Sequence, residues 1–269
     1  MRRLAILILA AAALCSCSIK EDRADCPVWL YFPEGFDARD AWGEVSLFAY
    51  EKGCGALTKR QTASLEALLN REERPWVSKG ETAVSLVRGL VDMELQQDSL
   101  LVIPYGLEAD PVVAARDHFE TYAERWTVRD SLFRQYAATT VRMEFTRGEV
   151  YPYAVRVRGS WCGFRLQSLS AVEGPFYYMP TGSGNGVFSF NLPRQGDDSL
   201  MLEVWGSDDP GEPASLLDEL PLGQYIRRTQ YDWTARDLGP VDIDINYARA
   251  TISITVNDWT EEFALVVTI

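Results

Sequence analysis

The chain has 269 residues and a formal net charge of −13 at pH 7, with 39 acidic residues against 26 Lys and Arg residues. This acidity, without a Lys/Arg cluster, argues against binding of nucleic acid and against electrostatic docking on anionic lipid. Hydrophobic residues make up 47% of the chain and aromatic residues 12%, which excludes a disordered stalk and predicts a packed core.

The N-terminal segment has the pattern of an export signal. Arg2 and Arg3 precede an unbroken apolar run from Leu4 to Leu14, as in a secretory signal peptide. The run is shorter than the ~20 residues that a membrane-spanning helix needs. It therefore predicts a signal peptide, not a transmembrane helix.

Two cysteines follow the apolar run. A lipoprotein signal peptidase binds an aliphatic side chain three positions before the modified cysteine and cuts beside a small residue. Cys17 has Leu14 and Ser16 at these positions, whereas Cys15 has Ala12 and Leu14 and fits poorly. We predict lipid attachment at Cys17; the alternative is a plain secretory signal that contains cysteines.

Lipidation at Cys17 would decide where the protein resides. A single acyl chain binds a membrane only marginally, at about 0.8 kcal/mol per buried methylene. A bacterial lipoprotein cysteine carries several chains, such as palmitate, so its anchor would be stable. We predict a signal peptide over residues 1–16, a lipidated tether over residues 17–27, and a location outside the cytoplasm.

Three more cysteines remain in the exported chain, so one thiol must stay unpaired in an oxidising compartment. Cys26 begins the first predicted strand and Cys54 follows the second. A Cys26–Cys54 disulfide is therefore topologically easy, but the sequence leaves the pairing open. Cys162 is predicted to be a buried free thiol. Without a CxxC pair, neither a metal site nor a redox cofactor is expected.

Strand patterns dominate the chain after the tether. In the first part they lie at Val28–Phe32, Trp42–Tyr50, Thr82–Val87, Val91–Leu95 and Leu100–Pro104. In the second part they lie at Thr140–Thr146, Ala154–Arg158, Phe164–Leu169, Gly186–Phe190, Leu200–Trp205, Val241–Ile245, Ala250–Val256 and Glu262–Ile269. Apolar residues between Asp110 and Tyr136 recur at helical spacing, which predicts a helical excursion.

Short strands separated by Gly, Pro and Asp turns indicate antiparallel sandwiches, since amphipathic helices do not alternate with them. The pattern breaks near residue 138. We therefore predict an all-β fold with two tandem antiparallel β-sandwich domains, over residues 28–137 and 138–269. The helical excursion belongs to the first domain.

No catalytic constellation is evident. His118 is the single histidine and lies beside Asp117, without a Gly-x-Ser-x-Gly motif. Asp242, Asp244 and Asn246 share one strand face and could help to hold calcium, but period-two acids are typical of the solvent side of a strand. We expect a protein that is not an enzyme and needs no cofactor.

The segment Ile19–Leu30 contains the block EDR-x-D-CP-x-W-L, and Pro221–Tyr225, Asp237–Leu238 and Asp258–Trp259 add a looser C-terminal pattern. Together they resemble the FimB-like fimbrial anchor lipoproteins of Bacteroides-type bacteria. The resemblance implies two transthyretin-like β-sandwiches and a role at the fimbrium base, where the protein holds a stalk subunit at the outer membrane and limits stalk length.

The same resemblance bears on three smaller features. Val28 stands where relatives often have a second cysteine, which weakens any disulfide transferred from them. Lys20-Glu21-Asp22 is similar to a tag that directs lipoproteins to the cell surface, although a merely polar tether is the alternative. Three Asp-Ser-Leu triplets, at residues 98–100, 130–132 and 198–200, match a weak O-glycosylation motif.

Two binding hypotheses follow. In the first, a stalk subunit joins the last strand by strand addition, along Phe263, Leu265, Val267 and Ile269; the alternative is that this strand is simply the last of its sandwich. In the second, the protein is a surface glycan-binding lipoprotein of a nutrient-uptake system. Its aromatic platform would come from these residues: Trp76, Trp126, Trp161, Trp205, Tyr177 and Tyr178.

Overall fold

The computed structural model describes residues 26–33, 35–36, 43–51, 55–144, 153–183, 185–206, 215–256 and 258–264. In the first part of the chain the strands are β1 (Pro27–Tyr31), β2 (Glu44–Glu51), β3 (Leu57–Ser64), β4 (Trp76–Ser78), β5 (Gly80–Arg88), β6 (Glu94–Gln96), β7 (Leu100–Val102), β8 (Val113–Thr121), β9 (Arg125–Thr127) and β10 (Phe133–Arg134). They continue with β11 (Tyr136–Glu144), β12 (Tyr153–Arg165), β13 (Ala171–Tyr178), β14 (Val187–Pro193), β15 (Met201–Gly206), β16 (Ser215–Leu220), β17 (Val241–Asn246), β18 (Thr251–Val256) and β19 (Trp259–Ala264). The helices within these ranges are α1 (Leu65–Leu69) and α2 (Leu222–Arg228).

The strands form four sheets, each named here after a central strand. The β1 sheet has the order β4-β1-β9, and the β5 sheet has the order β10-β8-β5-β2-β3. The β17 sheet has the order β14-β11-β17-β18-β19. The β12 sheet has the order β16-β15-β12-β7-β6, and β13 pairs with the other side of β12. The predicted all-β sandwich fold with a short helix is confirmed.

Three apolar clusters hold these sheets together. The first lies between the β1 and β5 sheets and includes Val28 and Leu30. The second lies between the β12 and β17 sheets and includes Val157 and Ile243. The third joins the opposite face of the β5 sheet to β7 and β12, and it includes Phe48. The β5 sheet is therefore buried on both faces.

This double burial changes one expectation. The sequence predicts that the strand at Trp42–Tyr50 is half-buried, with Phe48 on its polar face. In the structure Leu47, Phe48, Ala49 and Tyr50 of β2 are all buried, because the third cluster covers the face that was expected to meet solvent.

The predicted helical excursion between Asp110 and Tyr136 is wrong, since β8, β9 and β10 occupy this range. Phe119 on β8 and Trp126 on β9 stack with ring centroids 4.6 Å apart. Their spacing in sequence therefore comes from a bend between two strands. The short helix of this part of the chain is α1, where Leu65 and Leu68 are buried and the Ser64 side chain accepts a hydrogen bond from the Ala67 N–H.

The two predicted domains contribute strands to the same sheet. β6 and β7 come from the first predicted domain, yet β7 pairs with β12 of the second. At the end of β10, Arg134 forms a salt bridge with Asp237 at 3.4 Å, and Leu238 N–H donates to the Arg134 carbonyl. Arg236 also contacts the carboxylate of Asp130. The division near residue 138 stays a prediction, and the junction around it is extensively bonded.

Candidate interaction surface

The edge of the β17 sheet is formed by β19. This strand pairs with β18 from Val256↔Trp259 to Thr251↔Ala264, and among the described residues no strand pairs with its other side. An edge strand presents unpaired backbone N–H and C=O groups to which another chain can add a strand. The strand predicted at Glu262–Ile269 overlaps β19 at residues 262–264, and the rest of it lies outside the described residues.

Apolar and polar residues alternate in β17 and β18, the strands that lead to this edge. Val241, Ile243 and Ile245 of β17 point into the core with at most 1% of their surface exposed. β18 repeats the pattern with Ile252 and Ile254. The sheet extends from these buried rows to β19, which is paired with β18.

Phe263 fixes β19 to the core. Its side chain is 9% exposed and lies opposite Ile252. The Phe263 ring lies 5.3 Å from the Tyr225 ring of α2, and the Arg228 guanidinium lies over it at 5.7 Å. The aromatic ring is thus an internal anchor, and a partner would meet the backbone of β19. Leu265, Val267 and Ile269 lie outside the described residues, so the wider partner strand stays a prediction.

A charged groove of about 400 Å³ runs over the outer face of the β17 sheet and reaches β19 at Glu262. Arg142 crosses it and contacts Asp242 at 2.9 Å and Asp244 at 3.5 Å. The hydrogen bond to Asp242 raises the pKa of Arg142. These two acids, considered above for calcium, are therefore held by an arginine. Within the described ranges, no group of three or more acidic, His or Cys side chains could hold a metal ion.

The predicted glycan platform is not assembled on one face. Trp76 belongs to the β1 sheet and Trp205 to the β12 sheet. Trp126 is half-buried, stacked on Phe119, and its Nε1–H donates to Asp117 at 2.9 Å. Trp161 and Tyr178 are also half-buried.

Tyr177 and Trp205 do share a surface, together with Arg156. The Arg156 guanidinium lies 4.6 Å from the Trp205 ring and 5.5 Å from the Tyr177 ring. Glu203, which is buried, accepts hydrogen bonds from Arg156, Arg158 and the Trp205 Nε1–H. Burial alone would raise the pKa of Glu203, but these hydrogen bonds outweigh it, so that its pKa is lowered. The charged groups of this cluster therefore pair with one another.

The cysteines divide into described and undescribed residues. Cys162 is a buried free thiol, as predicted, and burial raises its pKa. Cys26 is half-buried and also carries a free thiol. Cys17 and Cys54 lie outside the described residues. The structure shows no disulfide at Cys26, and the Cys26–Cys54 pairing stays an untested prediction.

No protein-family model matches the chain, and no curated protein matches it in sequence. Solved structures do match it in fold. The fimbrial anchor protein Mfa2 from Porphyromonas gingivalis has a TM-score of 0.60 at 13% identity, over 87% of this chain and 98% of that one. A candidate adhesin from Bacteroides ovatus has a TM-score of 0.61 at 13% identity, over 91% and 97%.

The chain shares the fold of these proteins. A candidate polysaccharide-binding protein from Bacteroides thetaiotaomicron has the same degree of similarity, with a TM-score of 0.60 at 13% identity over 88% of this chain and 98% of that one. The resemblance to the fimbrial anchor family is thereby confirmed at the level of the fold. Both binding hypotheses from the sequence have a counterpart among these structures.

The helix that supports the edge strand, α2, was not predicted from the sequence. α2 begins inside the Pro221–Tyr225 block, which was noted for its family resemblance alone, and it ends in Arg227 and Arg228. Its buried Leu222 and Ile226, four residues apart, were the signal that could have found it. None of the described helices is long and apolar enough to cross a membrane.

Proposed function

We propose that this protein is the anchoring subunit at the base of a fimbrium. It is held in the outer membrane by lipid on Cys17, binds a stalk subunit by strand addition at the open edge of β19, and limits the length of the fimbrium. It acts by binding and performs no catalysis. The edge of β19, with which no described strand pairs on its outer side and which Phe263 anchors from inside, is the observation that carries the proposal.

The position of β1 supports a role at the end of the stalk. β1 is the central strand of its sheet and pairs with β4 on one side and β9 on the other. Val28 and Leu30 are at most 2% exposed. Removal of this strand would open the first cluster and, in the proposed protein, cut the link to Cys17. This protein therefore has no step equivalent to the loss of a first strand by which stalk subunits assemble, and growth of the fimbrium stops at it.

Cleavage in cells tests this part directly. Mature protein cut after Arg39 or Arg60 would contradict it, because both cuts sever the covalent link between β1 and the strands β4 and β9 that pair with it. Intact mature protein beginning at Cys17 is the expected result. Mass spectrometry of the N-terminal peptide from outer-membrane fractions distinguishes the two.

Contact at β19 is tested by site-specific photo-crosslinking in cells. A photoreactive amino acid at Glu262, which is exposed on β19, should capture a fimbrial stalk subunit. The matched control is Ser189, which is exposed on β14 at the opposite edge of the same sheet. Capture at Ser189 and not at Glu262, or equal capture at both, would show that the stalk does not join at β19.

The rival function is glycan binding at the cell surface. The fold shared with a candidate polysaccharide-binding protein favours it, as does the cluster of Tyr177, Arg156 and Trp205. In that cluster, however, a guanidinium already lies over the aromatic rings. Retention of the protein on a polysaccharide column, lost on substitution Trp205→Ala and without co-purification of a fimbrial subunit, would favour this rival.

A further inference from the structure

The outer face of the β1 sheet carries a row of large side chains. Trp76, Trp29 and Arg125 stand side by side across its three strands, because Trp29 is the register partner of both others. Trp29 is 36% exposed and Trp76 is 41% exposed. Tyr31 follows two residues after Trp29 on the same face. We call this surface, together with the cations described next, the β1 face.

Three cations surround these rings. The Lys59 ammonium lies 4.1 Å from the centre of the Trp76 ring and donates to the Trp76 carbonyl at 2.8 Å. The guanidinium groups of Arg71 and Arg125 lie 5.7 Å and 5.9 Å from the centre of the Tyr31 ring. Within the part of the chain that the structure describes, none of these cations forms a salt bridge.

The β1 face is held in place from behind. Val28, Leu30 and Val77 alternate with the exposed residues and are buried in the first cluster. Arg71 follows Asn70, the C-cap residue of α1, and has a left-handed backbone, at φ 64°. The aromatic rings and the cations are therefore presented by strands and by a fixed turn, on a sheet whose other side is core.

The chemistry of this face favours a lipid surface over a sugar. Sugar rings stack on open aromatic faces, but here Lys59 lies over Trp76, and Arg71 and Arg125 lie over Tyr31. Amphipathic Trp and Tyr rings beside Lys and Arg are typical of the interface between a bilayer and water. There the rings enter the headgroup layer while the cations pair with lipid phosphates.

The position of the face in the chain points the same way. β1 begins at Pro27, about ten residues after Cys17, and a segment of that length spans at most about 35 Å. In the function proposed above, lipid on Cys17 would hold the β1 face within that distance of the bilayer. Tethering of this kind raises the effective concentration of a weak surface contact.

We propose that the β1 face docks on the phosphate headgroups of the membrane and so fixes the orientation of the protein on it. The argument from proximity rests on the proposed lipid anchor, whereas the chemistry of the face does not. The net charge of the chain argues against such docking, but Lys59, Arg71 and Arg125 come together only on folding. The contact is local to these three cations.

Quenching of tryptophan fluorescence by brominated lipids tests the proposal. The exported chain, with a histidine tag in place of the acyl anchor, is bound to vesicles of phosphatidylcholine, phosphatidylglycerol and a nickel-chelating lipid. This tether works whether or not Cys17 is acylated in cells, so the test is independent of the anchor proposal. Bromine on the acyl chains should quench part of the fluorescence, and Trp29→Phe with Trp76→Phe should abolish that quenching.

Trp259→Phe is the matched control, because Trp259 is 67% exposed on β19 and distant in topology. It should leave the quenching unchanged. Charge is tested with Lys59→Glu, Arg71→Glu and Arg125→Glu combined, which should also remove the quenching and lower untethered vesicle binding by about 100-fold.

The matched charge control reverses three exposed arginines elsewhere, Arg116→Glu, Arg165→Glu and Arg249→Glu, and should keep the quenching. Circular dichroism confirms that each variant is folded. Equal quenching in both charge sets, quenching that survives loss of both β1-face tryptophans, or no quenching in the unsubstituted chain would each overturn the proposal. So would binding of a soluble polysaccharide that is lost in the Trp29/Trp76 variant.

Discussion

Gly163 is the residue on which the join between β7 and β12 depends most. A Cβ added at Gly163 would lie 1.9 Å from the Leu101 carbonyl oxygen and 2.9 Å from its carbon. Both atoms belong to the backbone of β7, which pairs with β12 at Gly163↔Val102. Gly163→Ala therefore forces the two strands apart by about 1.5 Å before ordinary contact distance, 3.4 Å, is restored.

The cost follows from what lies beside the site. Ile103 N–H donates to the Cys162 carbonyl at 2.7 Å, and Leu166 N–H donates to the Ser99 carbonyl at 2.8 Å. A displacement of this size breaks both hydrogen bonds, at about 1 kcal/mol each. Leu101 and Phe164 lose part of their burial, which contributes about 2 kcal/mol more. We expect Gly163→Ala to lower the free energy of unfolding by about 4 kcal/mol in urea titration.

Gly159→Ala is the matched control, because Gly159 lies on the same strand. There a new Cβ meets side-chain atoms of Leu200 at 3.3 Å and Gln195 at 3.4 Å, close to ordinary contact distance, so that shifts of a few tenths of an ångström suffice. We expect a change below about 1 kcal/mol. If the two variants unfold within 1 kcal/mol of each other, β7 is not seated on β12 as described.

Three further predictions concern the edge strand, the buried acid and the thiols. Phe263→Ala should destabilise the chain by about 3–4 kcal/mol, since a buried ring is lost, and should speed hydrogen exchange in β19 first. Glu203 has a lowered pKa in the folded chain, so its contribution to stability is present above its unfolded pKa of about 4.3 and is lost as pH falls through the folded value. Glu203→Gln should therefore flatten the fall in stability on acidification from pH 5, measured by urea titration at each pH. Cys162 should react with a thiol reagent only as fast as the chain opens, whereas half-buried Cys26 should react sooner.

The sequence predicted best where a single sheet face is buried. Val241, Ile243 and Ile245 alternate with polar residues, and the structure buries that row as expected. Prediction from the sequence failed where a sheet is buried on both faces and where an irregularity of the backbone lies inside a strand. Phe48 is covered by a second layer that no local pattern reveals.

The glycine-containing stretch between the two strands predicted at Ala154–Arg158 and Phe164–Leu169 marks irregular pairing within one strand. β12 is a single strand whose pairing with β13 shifts register near Trp161. Gly163 is there because β7 approaches too closely for any side chain. A glycine that admits a neighbouring backbone and a glycine that ends a strand look the same in sequence.

The interaction surfaces were predictable only in part. The edge strand was predicted in part: the strand expected at Glu262–Ile269 shares residues 262–264 with β19, which begins three residues earlier. The β1 face could not be predicted, since Lys59, Trp76 and Arg125 come from three strands that are far apart in sequence. Net charge averages over such groups, and pairing between distant strands is what brings them together.

Lipid attachment at Cys17 is the central claim of the anchor proposal, and its most direct test is fimbria length in a Cys17→Ala strain, with Cys15→Ala as the matched control. Cell fractionation follows the protein, and electron microscopy follows the fimbriae. The account predicts that Cys17→Ala moves the protein out of the outer-membrane fraction and gives long fimbriae shed into the medium, while Cys15→Ala changes neither. Cell-bound fimbriae of normal length in the Cys17→Ala strain would contradict it.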